Sequence, residues 1–308
     1  MRYICAQPAN DYYLWQVEVM INNFLSFGIN PNQMDILLGY DNEIPHKWRI
    51  LQQHYNTVRF FFYKDTREDR GYIPSIYFNL MKQHIQAHPE LENEVLFTHD
   101  SDIVFTKTPD FKHLESGNVW YVSDTKSYLN YNYIQQKGND TYLAMCSIVG
   151  IDSLIPKLMN SNTGGAQYIV KNTSYKFWDK VEKDSIKLYN YFCAIEPHWN
   201  GKGYPIQKWT AGMWAYIWNG WLFGHETQIH RDLDFTWSTN SIEEIDEVCI
   251  LHNAGVTDNK SGMFYKGAYI NELPYGKDLY LDFDKASYFY WEEVQRTAEL
   301  SPLNNISV

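Results

Sequence analysis

Short apolar runs alternate with longer segments in which apolar residues recur every three or four positions through the first half of the chain. A short apolar run predicts a strand buried in a sheet, and the longer periodic segments predict helices with one buried face. The predicted strands are residues 3–7, 34–40, 58–63, 95–99 and 119–123, and the predicted helices are residues 13–27, 45–55 and 74–87. This alternation favours an α/β fold, in which a mixed, mostly parallel sheet is flanked by helices.

The second half of the chain has a less regular pattern. Its predicted helices are residues 174–191, 209–221 and 285–299, and its predicted strands are residues 168–170 and 250–252. The tryptophans between residues 209 and 221 are spaced close to one helical face, which predicts that most of them belong to the core. Because no repeat, low-complexity tract or linker-like segment interrupts the chain, we expect one continuous domain over residues 1–308.

Two carboxylates interrupt the apolar run that covers residues 95–105. Side chains two positions apart on an extended strand point the same way, so Asp100 and Asp102 are expected to reach one point beyond the strand end. Two negative charges that close repel each other unless a cation lies between them, which indicates a divalent-metal site. Two further strings, Asp232-Leu233-Asp234 and Asp282-Phe283-Asp284, follow no apolar run, and their carboxylates are expected to be solvated.

A histidine and two lysines later in the chain are candidate partners of this pair. His252 ends an apolar run, and an imidazole beside two carboxylates suits Mn²⁺, with Mg²⁺ as the alternative. Lys260 and Lys266 follow it, where they either bring positive charge to a diphosphate or remain ordinary solvated lysines.

Two loops offer backbone and amide groups to a ligand. One follows the first predicted strand at the carboxyl edge of the sheet, where open α/β sheets bind their ligands. The other contains paired glycines, which fit either a close approach to a ligand or a tight turn. The candidate residues are Gln7, Ala9 and Asn10 in the first loop and Asn162, Gly164 and Gly165 in the second.

Composition narrows the classes of partner. Aromatic residues make up 17% of the 308 residues, and exposed Trp and Tyr rings often contact sugars, bases or partner chains. The net charge of −11 disfavours non-specific binding to a nucleic-acid backbone or an anionic membrane. No basic, apolar leader and no apolar stretch of the roughly 20 residues that span a bilayer is visible, so we expect a soluble, cytoplasmic protein without a signal peptide.

The motifs at residues 99–102, 162–166 and 251–255 resemble those of the GT-A class of metal-dependent glycosyltransferases. Their order and spacing look like family 8 and the plant peptidyl hydroxyproline/serine glycosyltransferase group. The resemblance implies a Rossmann-like GT-A fold in which Asp100, Asp102 and His252 ligate Mn²⁺. It also implies that Lys260 or Lys266 contacts the donor diphosphate and that the turn at residues 162–165 touches a sugar. Neither lysine is followed by the Pro-Trp pair of the family.

The function implied by this resemblance is transfer of a sugar from a nucleoside-diphosphate sugar, with UDP as the expected nucleotide, to an acceptor hydroxyl. Residues 1–125 would form the nucleotide-sugar-binding half, and residues 126–308 the acceptor-binding half with a C-terminal helix. Arg70 either contacts the donor, as an arginine does in that class, or forms an exposed salt bridge.

The sequence leaves the stereochemistry and the acceptor open. An inverting enzyme needs a carboxylate base, whereas a retaining enzyme would place an amide or carboxylate near the anomeric carbon, for which Gln207 is a candidate. The candidate bases are Glu196, Glu226 and Asp258. Trp199 and Trp209 are candidates for stacking on the acceptor, which is a glycan, a protein, a lipid headgroup or a modified base.

Two other classes of function fit parts of the sequence. A sugar nucleotidyltransferase would share the sheet and the carboxylates, but it usually carries a Gly-rich, basic loop after the first strand. The loop at residues 7–11 contains neither glycine nor lysine, which counts against that class. A non-catalytic carbohydrate-binding protein would use the aromatic surplus, but it does not explain His252 beside the carboxylate pair.

Overall fold

The computed structural model describes residues 1–199, 205–258 and 262–305, which contain both helices and strands. The strands are β1 (Arg2–Pro8), β2 (Met34–Tyr40), β3 (Arg59–Lys64), β4 (Leu96–His99), β5 (Ile103–Phe105), β6 (Trp120–Ser123), β7 (Gly165–Val170), β8 (Thr227–Ile229), β9 (Phe235–Trp237) and β10 (Ile250–His252). The α-helices are α1 (Asp11–Ser26), α2 (His46–His54), α3 (Ser75–Ala87), α4 (Lys126–Leu129), α5 (Tyr131–Gln136), α6 (Asn139–Val149), α7 (Leu154–Leu158), α8 (Tyr175–Ile195), α9 (Ala211–Leu222) and α10 (Ala286–Leu300). The predicted α/β class is confirmed.

The described residues form two compact units that interleave along the chain. The first unit comprises Arg2–Lys64, His99–His113 and the described residues from Arg231 onward. The second unit comprises Met1, Asp65–Thr98 and Leu114–His230.

The first unit contains parallel strands in the order β3-β2-β1 and a small sheet in the order β5-β10-β9. β1 is buried over its middle five residues, four of which are apolar, as expected for a parallel strand covered on both faces. In the small sheet, β10 runs antiparallel to β5 and parallel to β9. Asn10 begins α1, because its side-chain oxygen accepts a hydrogen bond from the Tyr13 backbone N–H at 3.2 Å.

The core of the first unit joins its first and last helices. Trp15 and Val19 on α1 belong to one buried cluster with Tyr290, Trp291 and Val294 on α10. The buried Trp15 indole N–H donates a hydrogen bond to the Tyr269 carbonyl at 3.2 Å. The three- and four-residue spacing that predicted α10 is that of its buried face, whereas α1 is buried without a break over residues 14–21.

Glu18 on α1 carries a buried carboxyl group, which predicts that the stability of the protein depends on pH. Glu18 accepts hydrogen bonds from the hydroxyls of Tyr275 (2.7 Å), Ser301 (2.9 Å) and Tyr55 (3.4 Å). These bonds lower the pKa of Glu18, but burial has the larger effect and raises this pKa from 4.5 to about 7. A raised carboxyl pKa means that the folded state holds its proton more tightly than the unfolded state. The free energy of unfolding should therefore fall as the pH rises from 4.5 to above 7.

We expect Glu18→Gln to remove that part of the pH dependence, which amounts to about 3 kcal/mol over the window. Urea unfolding of both proteins between pH 4.5 and 8 measures the difference, and the exposed Glu243→Gln is the matched control. Parallel stability–pH curves for Glu18→Gln and the unsubstituted chain would show that Glu18 does not titrate in this window.

The second unit contains strands in the order β4-β7-β6-β8. β7 runs antiparallel to β4 and to β6, whereas β6 and β8 are parallel. Helices α3, α8 and α9 supply about half of the buried apolar side chains of this unit. Trp214, Trp218 and Trp221 on α9 are buried, as predicted, whereas the Trp209 side chain just before α9 is exposed.

The sequence predicted most of the long elements to within a few residues, and it missed the 11-residue helix α6 and several short elements. Each of the six predicted helices corresponds to an observed helix, and all predicted strands are present, β2 and β10 with the predicted ends and the others with shifted ends. The missed elements are α4, α5, α6 and α7 and the strands β5, β8 and β9. Among the described residues, none of the helices combines the length and the apolar character needed to cross a bilayer.

Candidate metal and donor site

Asp100 and Asp102 lie in the connection between β4 and β5. They occupy a turn, whereas their convergence was predicted from the alternation of side chains on an extended strand. The turn still brings the two carboxylates close together. Their predicted proximity is therefore right, although it does not arise from side-chain alternation on a strand. Asp102 is buried, with 5% of its surface exposed, whereas 48% of the Asp100 side chain is exposed.

Strand pairing brings His252 to these carboxylates. In the small sheet, His252 at the end of β10 pairs with Ile103, the residue that directly follows Asp102. The Asn253 backbone N–H donates to the Asp102 carbonyl at 2.8 Å and extends this register by one more hydrogen bond. The His252 Nε2 atom lies 3.4 Å from Asp102 Oδ1 and 3.7 Å from Asp100 Oδ2.

The three side chains form a group that could hold a divalent metal ion. One potential ligand atom from each of Asp100, Asp102 and His252 lies within 4.8 Å of the other two. The sequence analysis predicted this trio, and the structure brings it together within the first unit.

Lys266 is the fourth charged residue of this group. It begins a short 3₁₀ turn at Lys266–Ala268, and its ammonium group forms an ion pair with Asp102 Oδ2. Its side chain is only 24% exposed, so Lys266 is not an ordinary solvated lysine. The other lysine predicted for this role, Lys260, lies outside the described residues.

Charge pairing sets the protonation of the group. Burial alone would raise the pKa of Asp102, but Lys266 and His252 outweigh it and hold this pKa well below its usual range. Burial and the neighbouring Asp102 raise the pKa of Asp100 to about 6, although half of that side chain is exposed. Burial would lower the pKa of His252, but the two carboxylates raise it.

Aromatic side chains that the sequence analysis missed hold the His252 ring. Trp237 on β9 stacks on the imidazole, with ring centroids 5.3 Å apart and an angle of 25° between the planes. The Phe235 ring lies 5.7 Å away on the same strand. The alternation Phe235-Thr236-Trp237 was the available signal, but a three-residue strand is too short for the period to be recognised.

Comparison with known proteins assigns the fold. No protein-family model and no curated protein matches the chain. Among solved structures, the apo structure of the bifunctional glycosyltransferase WbbM matches with a TM-score of 0.51 and 10% identity, covering 98% of this chain and 50% of that one. The fold is that of a GT-A-like glycosyltransferase. The chain spans about half the length of WbbM.

Two further solved glycosyltransferases match with lower scores. GlyE of Streptococcus pneumoniae TIGR4, in its apo form, has a TM-score of 0.46 and 12% identity over 96% of this chain and 60% of that chain. Mouse xyloside xylosyltransferase 1, also in its apo form, has a TM-score of 0.41 and 9% identity over 82% of this chain and 96% of that chain.

On this glycosyltransferase fold, the loop after β1 has structural contacts of its own. Ala9 is buried, and its backbone N–H donates to the Gly39 carbonyl at 2.7 Å. Gln7 is buried, and the Asn10 side chain caps α1. Contact of Gln7, Ala9 and Asn10 with a donor stays a prediction.

Arg70 lies in the second unit beside Asp65. Its guanidinium donates to the Asp65 carbonyl at 3.0 Å and lies 3.4 Å from the Asp65 carboxylate, with 48% of the side chain exposed. The salt bridge that the sequence analysis offered as one alternative is therefore present, and donor contact stays a prediction. The sequence analysis missed Arg67, whose buried guanidinium pairs with Asp65 and donates to the carbonyls of Tyr72 and Ile73.

The paired glycines of the second unit fit a close approach of backbone. A side chain at Gly164 would collide with the Ser123 carbonyl oxygen, and one at Gly165 would collide with the Tyr168 hydroxyl. The Asn162 carbonyl accepts a hydrogen bond from the Thr227 hydroxyl at 2.8 Å. Packing accounts for these residues without a ligand, so their contact with a sugar stays a prediction.

The candidate catalytic residues Glu196 and Gln207 also lie in the second unit. Glu196 forms an ion pair with Lys208. Gln207 is exposed, and its backbone N–H donates to the Tyr133 hydroxyl at 3.3 Å. Their catalytic roles stay predictions.

The other two Asp-x-Asp strings differ from each other. Asp282 and Asp284 are exposed, as expected for solvated carboxylates. Asp232 is not fully solvated, because its side chain is 27% exposed and its Oδ2 lies 3.0 Å from His113 Nε2.

Proposed function

We propose that the chain is a glycosyltransferase that moves a sugar from a nucleoside-diphosphate sugar, with UDP as the expected nucleotide, to an acceptor hydroxyl with the help of a divalent metal ion. The observation that carries the proposal is the trio of Asp100, Asp102 and His252 on a glycosyltransferase fold. Paired carboxylates of this kind are difficult to explain by packing, because they hold negative charges together at a partly buried position.

The donor atoms of the trio are suited to a first-row divalent ion. Ligand atoms that lie about 2.0–2.2 Å from one ion stand roughly 3–4 Å from each other. The distances of 3.4 Å and 3.7 Å from His252 Nε2 to the two carboxylates fall in that range. Two carboxylate oxygens and an imidazole favour Mn²⁺ over Ca²⁺, which prefers oxygen ligands alone.

In the proposed reaction, the bond between the anomeric carbon and the diphosphate oxygen breaks, and a bond from that carbon to the acceptor oxygen forms. The acceptor hydroxyl loses its proton to a base or to the leaving diphosphate, and negative charge collects on that diphosphate. Asp100, Asp102 and His252 would hold the metal ion, which when bound supplies Lewis-acid stabilisation of that charge. Lys266, held at Asp102, adds a positive charge that is already oriented before the reaction.

Removal of the metal ion tests the proposal. With a panel of UDP sugars and Mn²⁺, the chain should slowly hydrolyse at least one donor in the absence of any acceptor, and released UDP measures the rate. Excess chelator should abolish the release, and added Mn²⁺ should restore it, because the stabilisation of the leaving group is lost and regained. Equal release with and without chelator would contradict metal dependence, and no release from any donor would contradict the choice of UDP sugars.

A further inference from the structure

The orientation of the His252 imidazole decides whether this residue can act as a ligand of the proposed metal ion. The second torsion of a histidine side chain is broad, so the ring turns easily unless its neighbours hold it. In the structure, Nε2 lies 3.4 Å from Asp102 Oδ1 and 3.7 Å from Asp100 Oδ2, and the side chain is buried. Contacts around the ring must therefore keep Nε2 on the side of the carboxylates.

Strand pairing places Trp237 beside this ring. β9 and β10 run parallel, and His252 is paired with Trp237 in their register. Paired residues of neighbouring strands lie at one level and present their side chains on one face of the sheet. The indole stacks on the imidazole with ring centroids 5.3 Å apart and an angle of 25° between the planes, within the range of favourable aromatic pairs.

Phe235 holds the indole in turn. Its ring meets the Trp237 ring edge-to-face, with centroids 4.7 Å apart and an angle of 80°, and it lies 5.7 Å from the imidazole. Phe235 and Trp237 are two positions apart on β9, so both side chains stand on the same face. Rotation of the imidazole away from the carboxylates would break its stack with the indole, so the two neighbouring rings oppose that rotation.

The backbone around the stack is fixed by buried hydrogen bonds. The Ser238 hydroxyl, next to Trp237, donates to Asn253 Oδ1 at 2.6 Å. The Asn253 backbone N–H, next to His252, donates to the Asp102 carbonyl at 2.8 Å. Ser238 and Asn253 are both buried. The register therefore fixes the indole and one proposed carboxylate ligand relative to His252.

An indole face also favours the charge that the imidazole gains when it binds a cation. A metal-bound imidazole becomes more positive, and the electron-rich face of an aromatic ring attracts positive charge. Tryptophan gives the strongest attraction of this kind, phenylalanine a weaker one, and an aliphatic side chain has no such face. The identity of residue 237 should therefore affect metal binding beyond the volume that its side chain fills.

We propose that Trp237 is a positioning residue of the metal site, whose indole holds the His252 imidazole with Nε2 toward Asp100 and Asp102. Trp237 thus prepares the site for a metal ion before the donor binds. The inference rests on the proposed function, because it takes His252 as a metal ligand.

Calorimetric titration of Mn²⁺ without nucleotide tests the inference and does not depend on activity. Trp237→Ala and Trp237→Leu should each raise the dissociation constant about tenfold, the lower end of what loss of an outer contact to a metal ligand costs. Trp237→Phe keeps an aromatic face and should raise it only about twofold. Phe61→Ala, which removes a half-buried ring from β3 of the same unit, should leave it unchanged. Leucine fills much of the volume of the indole, so the comparison of Leu with Phe still decides if Trp237→Ala fails to fold.

A double substitution separates action through His252 from a general effect on the fold. His252→Ala removes one proposed ligand, keeps both carboxylates and should itself weaken Mn²⁺ binding. In that background, Trp237→Leu should change the dissociation constant less than about twofold, because no imidazole remains to be held. Relaxation of water protons by bound Mn²⁺ extends the measurement to these weaker complexes, and circular dichroism verifies that each variant is folded.

Two results would overturn the inference: unchanged Mn²⁺ affinity in a folded Trp237→Leu protein, or equal losses with and without His252. Both results leave the proposed function standing, since the unsubstituted chain still binds the metal ion. Absence of Mn²⁺ binding by the unsubstituted chain would contradict the metal site itself, and the role of Trp237 would be refuted with it.

Discussion

Replacement of Asp102 by asparagine should lower the rate of sugar transfer about a thousandfold, equivalent to roughly 4 kcal/mol of transition-state stabilisation. The Asp102 carboxylate contacts both His252, another proposed metal ligand, and the ammonium group of Lys266. Asparagine keeps the shape of the side chain but removes the charge, which weakens the hold on a cation and leaves Lys266 without its ionic partner. Released nucleotide at saturating donor and Mn²⁺ measures the effect.

The chain supplies a matched control for this substitution. Asp284 belongs to another Asp-x-Asp string, is exposed, and should tolerate Asp284→Asn with unchanged turnover. Circular dichroism and thermal unfolding of Asp102→Asn would separate lost chemistry from lost structure. A folded Asp102→Asn protein with near-normal turnover would contradict the assignment of the metal site.

The sequence predicted the fold where the pattern extended over enough residues. β1 and β2 are nearly continuous apolar runs, and α8 and α10 carry their buried residues at helical spacing. The short helices α4 (Lys126–Leu129) and α7 (Leu154–Leu158) show no such periodicity in the sequence, because four or five residues are too few to define a period. These short helices owe their stability to packing rather than to their own propensity.

Residue chemistry predicted that Asp100, Asp102 and His252 come together, and their role as metal ligands stays a prediction. Asp100 and Asp102 were recognised because two carboxylates in an apolar context require a cation, and His252 because it ends a strand-like run. Their turn geometry was not predictable, since it depends on the pairing of β5 with a strand about 150 residues away in the chain. The ion pair of Lys266 and the stacking of Trp237 on His252 are also long-range contacts, for which the sequence carries no local signal.

Replacement of Lys266 by methionine should change metal affinity and turnover in opposite directions. Without nucleotide, the Lys266 ammonium is paired with Asp102, so a metal ion must compete with an internal cation for the same carboxylate. Methionine keeps the length and much of the volume of the side chain but removes the charge. The dissociation constant for Mn²⁺ alone should therefore fall about tenfold, because the competition of roughly 1.4 kcal/mol is gone. Turnover should fall as well, since the leaving diphosphate loses a positive charge.

Calorimetric titration of Mn²⁺ with and without UDP measures the competition directly and does not depend on activity. In the unsubstituted chain, UDP offers Lys266 another anionic partner, so Mn²⁺ should bind more tightly in its presence, and by linkage UDP should bind more tightly with Mn²⁺. That coupling should shrink in Lys266→Met, whereas Lys277→Met, which removes a more exposed lysine paired with Glu272, should leave it unchanged.

If Lys266→Met binds Mn²⁺ no more tightly than the unsubstituted chain, Lys266 does not compete for Asp102. If neither protein binds Mn²⁺, the metal site itself is wrong, because the three predicted ligands remain in both.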